Sequence, residues 1–439
     1  MVRIIKKYIA VILFLQGLLS IYSVNAQFSL STPYSRYGMG SLFSGANNAG
    51  VAIGGVGYAR AKNHEVNFSN AASYSAVDTQ SFIFNIGFNT QWHKIHNNEA
   101  ESKAYVAGIS NISFSFPLFR RLKMGISLAP FSSVDYSASD TILGDINYLK
   151  KYTGEGNIDR VIVGLAYQPL KSGNNNLSIG FNGIYYFGSV NRLVDLKFLN
   201  TVPDTRGLLH DTTGFFNTYT KNEYNVSSLG FEIGLQYFHV TGDKVMGIGL
   251  NFQPSYKLGT DNKRMFYTYY TSSSSDNVQD TVQYSKSKGN ITMPMKIGGG
   301  VSFEKVNKFF VEADMTYTQW SKFLFEQGTE DAVCDNLLLN FGFEYTPNVY
   351  GLSYFEKLAY RAGFGYDNGY IALQGQRIDK FYITAGVALP IKKAGTLLNI
   401  NFEYGTIGTT DNNLIKENYF SLGLSVSAKD RWFVKRKYQ

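Results

Sequence analysis

The 439-residue sequence is poor in cysteine, proline and charged residues compared with soluble multi-domain proteins. It has a single cysteine, Cys334, so no disulfide can form within the chain. It has only 9 prolines, and only 17% of its residues are charged, compared with about a quarter in ordinary soluble domains. After the N-terminal region, no apolar run reaches the ~18 residues of a membrane-spanning helix. These deficits exclude a disulfide-stabilised domain and a bundle of membrane-spanning helices.

Aromatic residues and glycine are abundant instead. The chain has 32 Tyr, 33 Phe and 43 Gly, and aromatic residues make up 15% of it. From Gln80 onward, large apolar residues recur at every second position, as in Phe84, Ile86 and Phe88. Period-two alternation indicates β-strands with two different faces.

The net charge of +8 resides mainly at the two ends of the chain. Three positive charges lie in the first seven residues, and the last eleven residues carry a net charge of four. The rest of the chain is close to neutral. A basic groove for nucleic acid is therefore not expected, because such a groove needs clustered Lys and Arg.

The N-terminus has the features of a secretory signal peptide. Arg3, Lys6 and Lys7 precede a short apolar stretch, and small residues end at Ala26. We therefore expect residues 1–26 to be removed by cleavage. A retained N-terminal anchor is the alternative, but the apolar stretch is short for one. No cysteine follows the expected cleavage point, so a lipoprotein is not predicted.

The alternating strands favour a transmembrane β-barrel. Their second face is small or polar, as in Asn85, Gly87, Ser425 and Ser427, while the first face is bulky and apolar. The apolar face suits lipid and the polar face suits a lumen. A soluble β-sandwich, the alternative, would need many more Lys and Glu residues on its polar face.

The pattern predicts an all-β fold, an antiparallel transmembrane barrel over residues 80–433 with about fourteen strands and a short basic tail at 434–439. The predicted strand centres are Phe84, Ile109, Ile126, Val161, Phe181, Phe231, Leu250, Ile297, Val311, Leu339, Ala362, Ile383, Ile400 and Leu422. Short turns are expected on the periplasmic side, and long loops on the outside at 190–219, 259–286 and 322–333. Tyrosines near strand ends, including Tyr185, Tyr186 and Tyr256, are candidates for the aromatic belts.

Residues 27–79 lack alternation and are rich in glycine, with Gly54-Gly55-Val56-Gly57 as the densest stretch. Glycine allows close backbone packing and positive φ. We therefore predict an N-terminal plug, or hatch, inside the barrel. A disordered periplasmic leader is the alternative.

This N-terminal segment resembles that of FadL-like outer-membrane transport proteins, in versions typical of Bacteroidota. The resemblance is carried by Ser35-Arg36-Tyr37-Gly38, the glycine stretch just named, and Asn70-Ala71-Ala72, where the family usually has Asn-Pro-Ala. It implies a fourteen-stranded barrel with an N-terminal hatch, which moves hydrophobic molecules across the bacterial outer membrane. It also implies that ligand leaves sideways where the third strand kinks.

Two sets of residues are candidates for the site. Pro130 lies in the third predicted strand, where a missing backbone donor could open the wall; a proline above the membrane is the alternative. The expected lumen face carries one arginine, Arg361, among the carboxylates Glu232, Glu312, Asp314, Glu344 and Glu403. This network would either fix the hatch or bind the head group of a ligand.

No catalytic or metal site is predicted. His93 and His96 lie three residues apart, which places them on opposite faces of a strand. No cofactor is expected. The predicted function is passive, hatch-gated uptake of small hydrophobic molecules such as fatty acids. The alternative is a non-transporting accessory barrel, a structural subunit of an outer-membrane protein assembly or secretion complex. The expected partners are thus outer-membrane lipid and either a hydrophobic ligand or a protein complex.

Overall fold

The computed structural model describes residues 32–143, 147–199, 201–203, 209–211, 215–272, 275–325, 332–391 and 395–431. The expected signal peptide and the basic tail lie outside the described residues, and the predicted hatch is described from Thr32 onward. Among the described residues, no helix is both long enough and apolar enough to cross a membrane.

Fourteen antiparallel strands close into a barrel, which confirms the predicted fold class and strand number. The strands are β1 (Ser81–His96), β2 (Glu101–Pro117), β3 (Leu122–Ile142), β4 (Tyr148–Ser172), β5 (Asn175–Phe198), β6 (Asn217–Thr241), β7 (Lys244–Gln253 and Tyr256–Ser272), β8 (Ser275–Met293 and Lys296–Lys305), β9 (Phe309–Thr318), β10 (Asn336–Tyr345), β11 (Ala359–Asp367), β12 (Lys380–Pro390), β13 (Leu397–Ile407) and β14 (Lys416–Arg431). β1 closes the ring by pairing with β14, from Ser81 opposite Arg431 to His96 opposite Lys416. Every predicted strand centre lies in one of these strands.

The two faces of the barrel are reversed relative to a soluble protein. Large apolar side chains such as Phe88 and Phe364 remain 44% and 48% exposed on the outside. Asn85, Asn182 and Gln236 are completely buried on the inside. Apolar groups on the outer surface of a closed barrel, with no free backbone edge, are the solution that lipid requires. The barrel therefore belongs in the bacterial outer membrane.

The strands differ greatly in length around the ring. β4, β5 and β6 have 25, 24 and 25 residues, whereas β10 and β11 have 10 and 9. About ten residues suffice to cross the bilayer. Turns of two to four residues at 118–121, 173–174, 242–243 and 306–308 mark the periplasmic end, so the extra length projects outward.

The prediction of an outer loop at 259–286 is wrong, because some of the strands that extend beyond the membrane lie there. These residues belong to a long hairpin in which Tyr256–Ser272 of β7 pairs with Ser275–Met293 of β8. The chain there is polar, and a polar stretch of sequence predicts a loop. Strands that rise above the membrane no longer need an apolar face, so their sequence loses the signal that identifies the lower parts.

Residues 32–80, here called the luminal segment, lie inside the ring. Its Tyr58 carbonyl faces Gly249 of β7, its Ile53 carbonyl faces Gly342 of β10, and its Tyr74 ring faces Gly164 of β4. Contacts with strands on different sides of a closed ring are possible only from within it. The segment contains the short helices Pro33–Arg36, Asn48–Val51 and Ala71–Ala76 and the strand Ser41–Leu42.

Candidate functional site in the barrel lumen

Arg361 of β11 lies at the centre of a buried ion-pair cluster. Its Nε donates to Glu344 Oε2 at 2.8 Å, its Nη2 to Glu65 Oε1 at 2.9 Å, and its Nη1 to Asn399 Oδ1 at 2.8 Å. Arg60 completes the cluster, with its Nη2 2.9 Å from Glu65 Oε1 and 3.2 Å from Glu344 Oε2. Two arginines and two carboxylates thus join the luminal segment to β10 and β11.

Each nitrogen of the Arg361 guanidinium therefore has a protein partner. Burial by itself would raise the pKa of Glu65, but Arg60 and Arg361 hold that pKa well below its usual range. Glu65 is consequently an anion that bridges two cations. Arg361 and Glu344 were predicted from the sequence as lumen residues, whereas Arg60 and Glu65 were not. Two opposite charges in an otherwise weakly charged, glycine-rich segment were the available signal.

Glu312 and Asp314 of β9 hold the middle of the luminal segment through its backbone. Asp314 Oδ2 accepts from Gly57 N at 2.7 Å and from Tyr58 N at 3.1 Å. Glu312 Oε1 accepts from Ala59 N at 2.6 Å. Three consecutive amides of the segment are thus bound by two buried carboxylates, without any contact to Arg361.

The Asn70-Ala71-Ala72 sequence forms the start of a short helix against the wall. Asn70 Oδ1 accepts from Ala72 N at 3.1 Å, which caps Ala71–Ala76. Asn70 Nδ2 donates to the carbonyls of Tyr58 at 2.9 Å and of Leu235 and Leu250 at 3.2 Å. One amide therefore joins two parts of the segment to β6 and β7, although the usual proline of the motif is missing.

The two remaining carboxylates of the predicted lumen set, Glu232 and Glu403, lie apart from the Arg361 cluster. Glu232 of β6 accepts from Asn182 Nδ2 at 2.8 Å and lies 3.4 Å from Lys296 Nζ. Glu403 of β13 accepts a hydrogen bond from the Tyr419 hydroxyl and lies 3.5 Å from Lys380 Nζ. The six charged residues all point into the lumen, but they form separate groups at different heights.

The barrel wall is split between β2 and β3 in its outer half, a feature here called the wedge. The two strands pair only from Pro117 opposite Lys123 to Ile112 opposite Leu128. Pro130 follows directly, at a β-bulge between Pro130 and Ser132. Above this point, β3 pairs with Ser41–Leu42 of the luminal segment, which occupies the place of β2 for two residues.

An outer cavity of about 220 Å³ reaches both sides of the wedge. Ser110 of β2 and Pro130 of β3 both line it. Part of its lining is apolar, including Leu42, Phe43 and Ile378, and part is polar, including His93, Lys380 and Glu403. The cavity therefore suits a small molecule that is mainly apolar and carries a few polar atoms.

A central cavity of about 270 Å³ lies on the other side of Leu42, Phe43, Ser44 and Ala46, which line both spaces. Arg160 of β4 lines this cavity, and this residue is only 9% exposed. Its Nε and Nη2 have no hydrogen-bond partner among the described residues, and its guanidinium carbon lies 5.7 Å from the centre of the Phe131 ring. Arg160 was not predicted from the sequence, because its neighbours along the chain do not distinguish it.

A periplasmic cavity of about 380 Å³ lies below, lined by Ala59, Asp78, Lys123 and Glu304. Tyr58 lines the central cavity, and the next residue, Ala59, lines the periplasmic one. The luminal segment thus separates the two spaces at this point.

The aromatic-belt interpretation is wrong for two of the tyrosines. Tyr185 is exposed on the outside, but Tyr186 is buried and its hydroxyl lies 2.9 Å from that of Tyr256. The Tyr186 ring also packs edge-on against Phe131, with centroids 4.9 Å apart. Both tyrosines therefore belong to the wall next to the central cavity.

A family model named BamG matches residues 4–439 of the sequence. The chain belongs to the BamG family. No curated protein matches it significantly. Its fold is of the FadL type: among solved structures it is similar to the Ralstonia pickettii toluene transporter TbuX, with a TM-score of 0.54 and 16% identity over 89% of this chain and 99% of that one.

Two further structures show the same likeness. The Pseudomonas putida toluene transporter TodX aligns with a TM-score of 0.53 and 14% identity, over 88% of this chain and 98% of that one. A Pseudomonas aeruginosa FadL homologue aligns with a TM-score of 0.54 and 12% identity, over 90% and 99%. At these identities the likeness establishes the barrel fold for this member of the BamG family.

Proposed function

We propose that this barrel is a passive channel for small hydrophobic molecules, with fatty acids among them, gated by the luminal segment and opening sideways at Pro130. The observation that carries the proposal is the outer cavity, which reaches both edges of the wedge at Ser110 and Pro130. A cavity that ends at a split in the wall has a route into the surrounding lipid.

The wedge also has a candidate gate. In lipid, an unpaired backbone group is costly, so a split wall needs a substitute for the missing strand. Ser41–Leu42 supplies it by pairing with Ser133 and Ser132, and Phe43 N donates to the Phe131 carbonyl at 3.0 Å. Withdrawal of these few residues would join the two cavities and expose the wedge.

The Arg160 guanidinium favours a ligand with an acidic head group, although the central cavity as a whole is lined by both cations (Arg160, Lys296 and Lys380) and carboxylates (Glu232, Asp314 and Asp367). Arg160 has free N–H groups there, and Lys296 lines the same space. A buried guanidinium without a carboxylate is costly unless an anion joins it. Arg361 is less suited to this role, because Glu65, Glu344 and Asn399 already occupy its nitrogens.

The structurally similar proteins also support a channel for small hydrophobic molecules. TbuX and TodX are described as toluene transporters, so the FadL-type barrel can carry small hydrophobic molecules. In this chain, the wedge and the two cavities would provide the route for such a molecule.

Uptake of labelled oleate and labelled toluene by cells that produce the protein tests the channel. Ser110→Trp, which fills the outer cavity, should lower uptake of at least one of them about tenfold, while Thr406→Trp, outside the cavity lining, should not. Pro130→Ala should lower uptake as well, because the wall can then pair further. Unchanged uptake in both Ser110→Trp and Pro130→Ala would overturn the lateral route.

The second candidate is an accessory barrel within an outer-membrane protein assembly. Membership of the BamG family favours it, as does the firm attachment of the luminal segment by buried ion pairs. Purification in mild detergent separates the two functions. A stoichiometric protein partner without uptake would support the accessory role, whereas a bound lipid-like molecule and a barrel without partners would support the channel.

A further inference from the structure

A second interruption of the wall lies between β6 and β7, far from the wedge. The two strands pair from Lys244 opposite Thr241 to Phe252 opposite Ile233, and pairing resumes only at Thr260 opposite Val226. Residues 227–232 and 253–259 have no ladder between them, and these two stretches are here called the β6–β7 gap. β7 itself is interrupted there, at Pro254 and Ser255.

The direction in which the β7 side chains point reverses across the gap. Leu250 and Phe252 point outward and are exposed, whereas Leu258, six residues beyond Phe252, is completely buried. In an unbroken strand, residues separated by an even number of positions share one face. An irregularity therefore turns the strand over within the gap, as a β-bulge does.

The side chain of Tyr256 fills the gap. A Cβ atom at Gly230 of β6 would lie 2.5 Å from the Tyr256 ring, so glycine is needed there to seat it. The Tyr256 hydroxyl lies 2.9 Å from the Tyr186 hydroxyl, inside the wall. Above the ring, Gly259 N donates to Ser228 Oγ at 3.2 Å. The Tyr256 ring thus occupies the place where several ladder hydrogen bonds would otherwise form.

The gap leads to the central cavity. Gln253 at its lower edge and Pro294 in the neighbouring break of β8 both line that cavity. Phe131, which contacts Tyr186, lines it as well. Phe131 and Tyr186 therefore lie between Arg160 and the Tyr256 ring in the gap.

The outer side of the gap is flanked by lipid-facing residues. Phe231 is 40% exposed, and Leu229 is 72% exposed, more than its apolar neighbours on β6. Both belong to the outward-facing row of β6, which stays apolar from Tyr237 to Leu229 and turns polar at Ser227 and Asn225, so they lie at the outer end of its apolar part. The gap thus meets the outer leaflet rather than the solvent.

We propose that the β6–β7 gap is a second side opening, closed by Tyr256, through which an anionic amphiphile of the outer leaflet brings its head group to Arg160. The chain of the amphiphile stays in lipid, against Leu229 and Phe231, while the head group enters. The inference rests on the proposed function, because it takes the central cavity as a ligand site.

A reversible disulfide across the gap provides the test. Ser227→Cys and Gly259→Cys, combined with Cys334→Ser to remove the native thiol, place two thiols on the outer face, one step into the gap from the pair Val226–Thr260 and in the same register. The matched control is Thr406→Cys with Asn418→Cys, two residues that face each other in the unbroken pairing of β13 and β14. Gly259 tolerates a side chain, since a Cβ atom there would have nothing within 4 Å.

The probe is cis-parinaric acid, a fluorescent fatty acid supplied from phosphatidylcholine vesicles to the reconstituted barrel. Oxidation of the gap pair should slow binding roughly tenfold, as expected when access becomes limiting, and a reductant should restore it. Tyr256→Ala should bind faster than the unmodified protein. The control pair should bind at the same rate in both redox states.

An unchanged rate with the gap pair oxidised would overturn the second opening. If Ser110→Trp then still blocked binding, the channel would remain and ligand would pass only at the wedge. If the unmodified protein bound no parinarate at all, the proposed function and this inference would both fail.

Discussion

The guanidinium Nη2 of Arg361 lies 2.9 Å from the carboxylate Oε1 of Glu65, and both side chains are almost completely buried. Arg361 belongs to β11 and Glu65 to the luminal segment, 296 residues earlier in the chain. This contact helps to fasten the luminal segment to the wall, together with those of Glu312, Asp314 and Asn70. Its strength therefore contributes to how firmly the luminal segment is held.

Replacing Arg361 with Met should release the luminal segment. Removing one partner from a buried ion pair costs about 3–5 kcal/mol, and here Glu65 and Glu344 would stay buried with one arginine, Arg60, in place of two. We expect a lower urea midpoint and faster proteolysis near Lys62. Arg121→Met, at an exposed periplasmic arginine, is the control. Intact protection with lost fatty-acid binding would show instead that Arg361 binds the ligand.

Asn70→Asp should be more damaging than Asn70→Ala. The Asn70 amide donates to three carbonyl groups, and a carboxylate would present acceptors to all of them. The alanine variant leaves these groups unsatisfied, at a cost of about 1–3 kcal/mol. The aspartate adds an unpaired buried charge to that loss. Equal unfolding free energies for the two variants in detergent would contradict the hydrogen-bond assignment.

Gly249→Ala should displace the luminal segment without disturbing the outer face of the barrel. A methyl group at Gly249 would lie 1.8 Å from the Tyr58 carbonyl oxygen, and backbone cannot move aside as a flexible side chain can. Gly183→Ala is the matched control, since its nearest contact would be 3.8 Å. Hydrogen exchange of the Tyr58 and Ala59 amides measures the effect; similar exchange in both variants would disprove the close approach.

Arg160→Met should separate acidic from neutral ligands. Hydrogen bonds to charged groups contribute about 1.5–3 kcal/mol, so oleate should bind at least roughly tenfold more weakly. Toluene has no head group, and its binding should not change. Equilibrium binding to the purified barrel measures both affinities. Equal losses for oleate and toluene would show that the substitution only disturbs the cavity.

Phe364→Arg should destabilise the barrel in a bilayer. Phe364 points outward from β11, and a cation on the lipid face costs about 2–4 kcal/mol near the bilayer midplane. Tyr350→Arg, on the periplasmic turn 346–358, should cost little because that side chain is 83% exposed beyond the strands. Reversible unfolding from phospholipid vesicles compares the two, and equal stability would place β11 outside the membrane.

The sequence by itself determined the barrel, its number of strands and its two faces. Alternation such as that of Phe84 with Asn85 depends only on the period of a strand and on the solvent at each face, so it can be read locally. The same alternation assigned Arg361 and the five carboxylates to the lumen. The long β7–β8 hairpin escaped notice, because strands above the membrane lose that alternation.

Only the tertiary structure decided which lumen residues meet. Arg361 contacts Glu65 and Glu344 but none of the other predicted carboxylates, since height in the barrel depends on the register of each strand. Tyr256 points inward because a break in β7 turns the strand over, and no periodic pattern encodes such a break. Contacts across a closed ring join residues far apart in sequence, and those depend on how the whole wall is assembled.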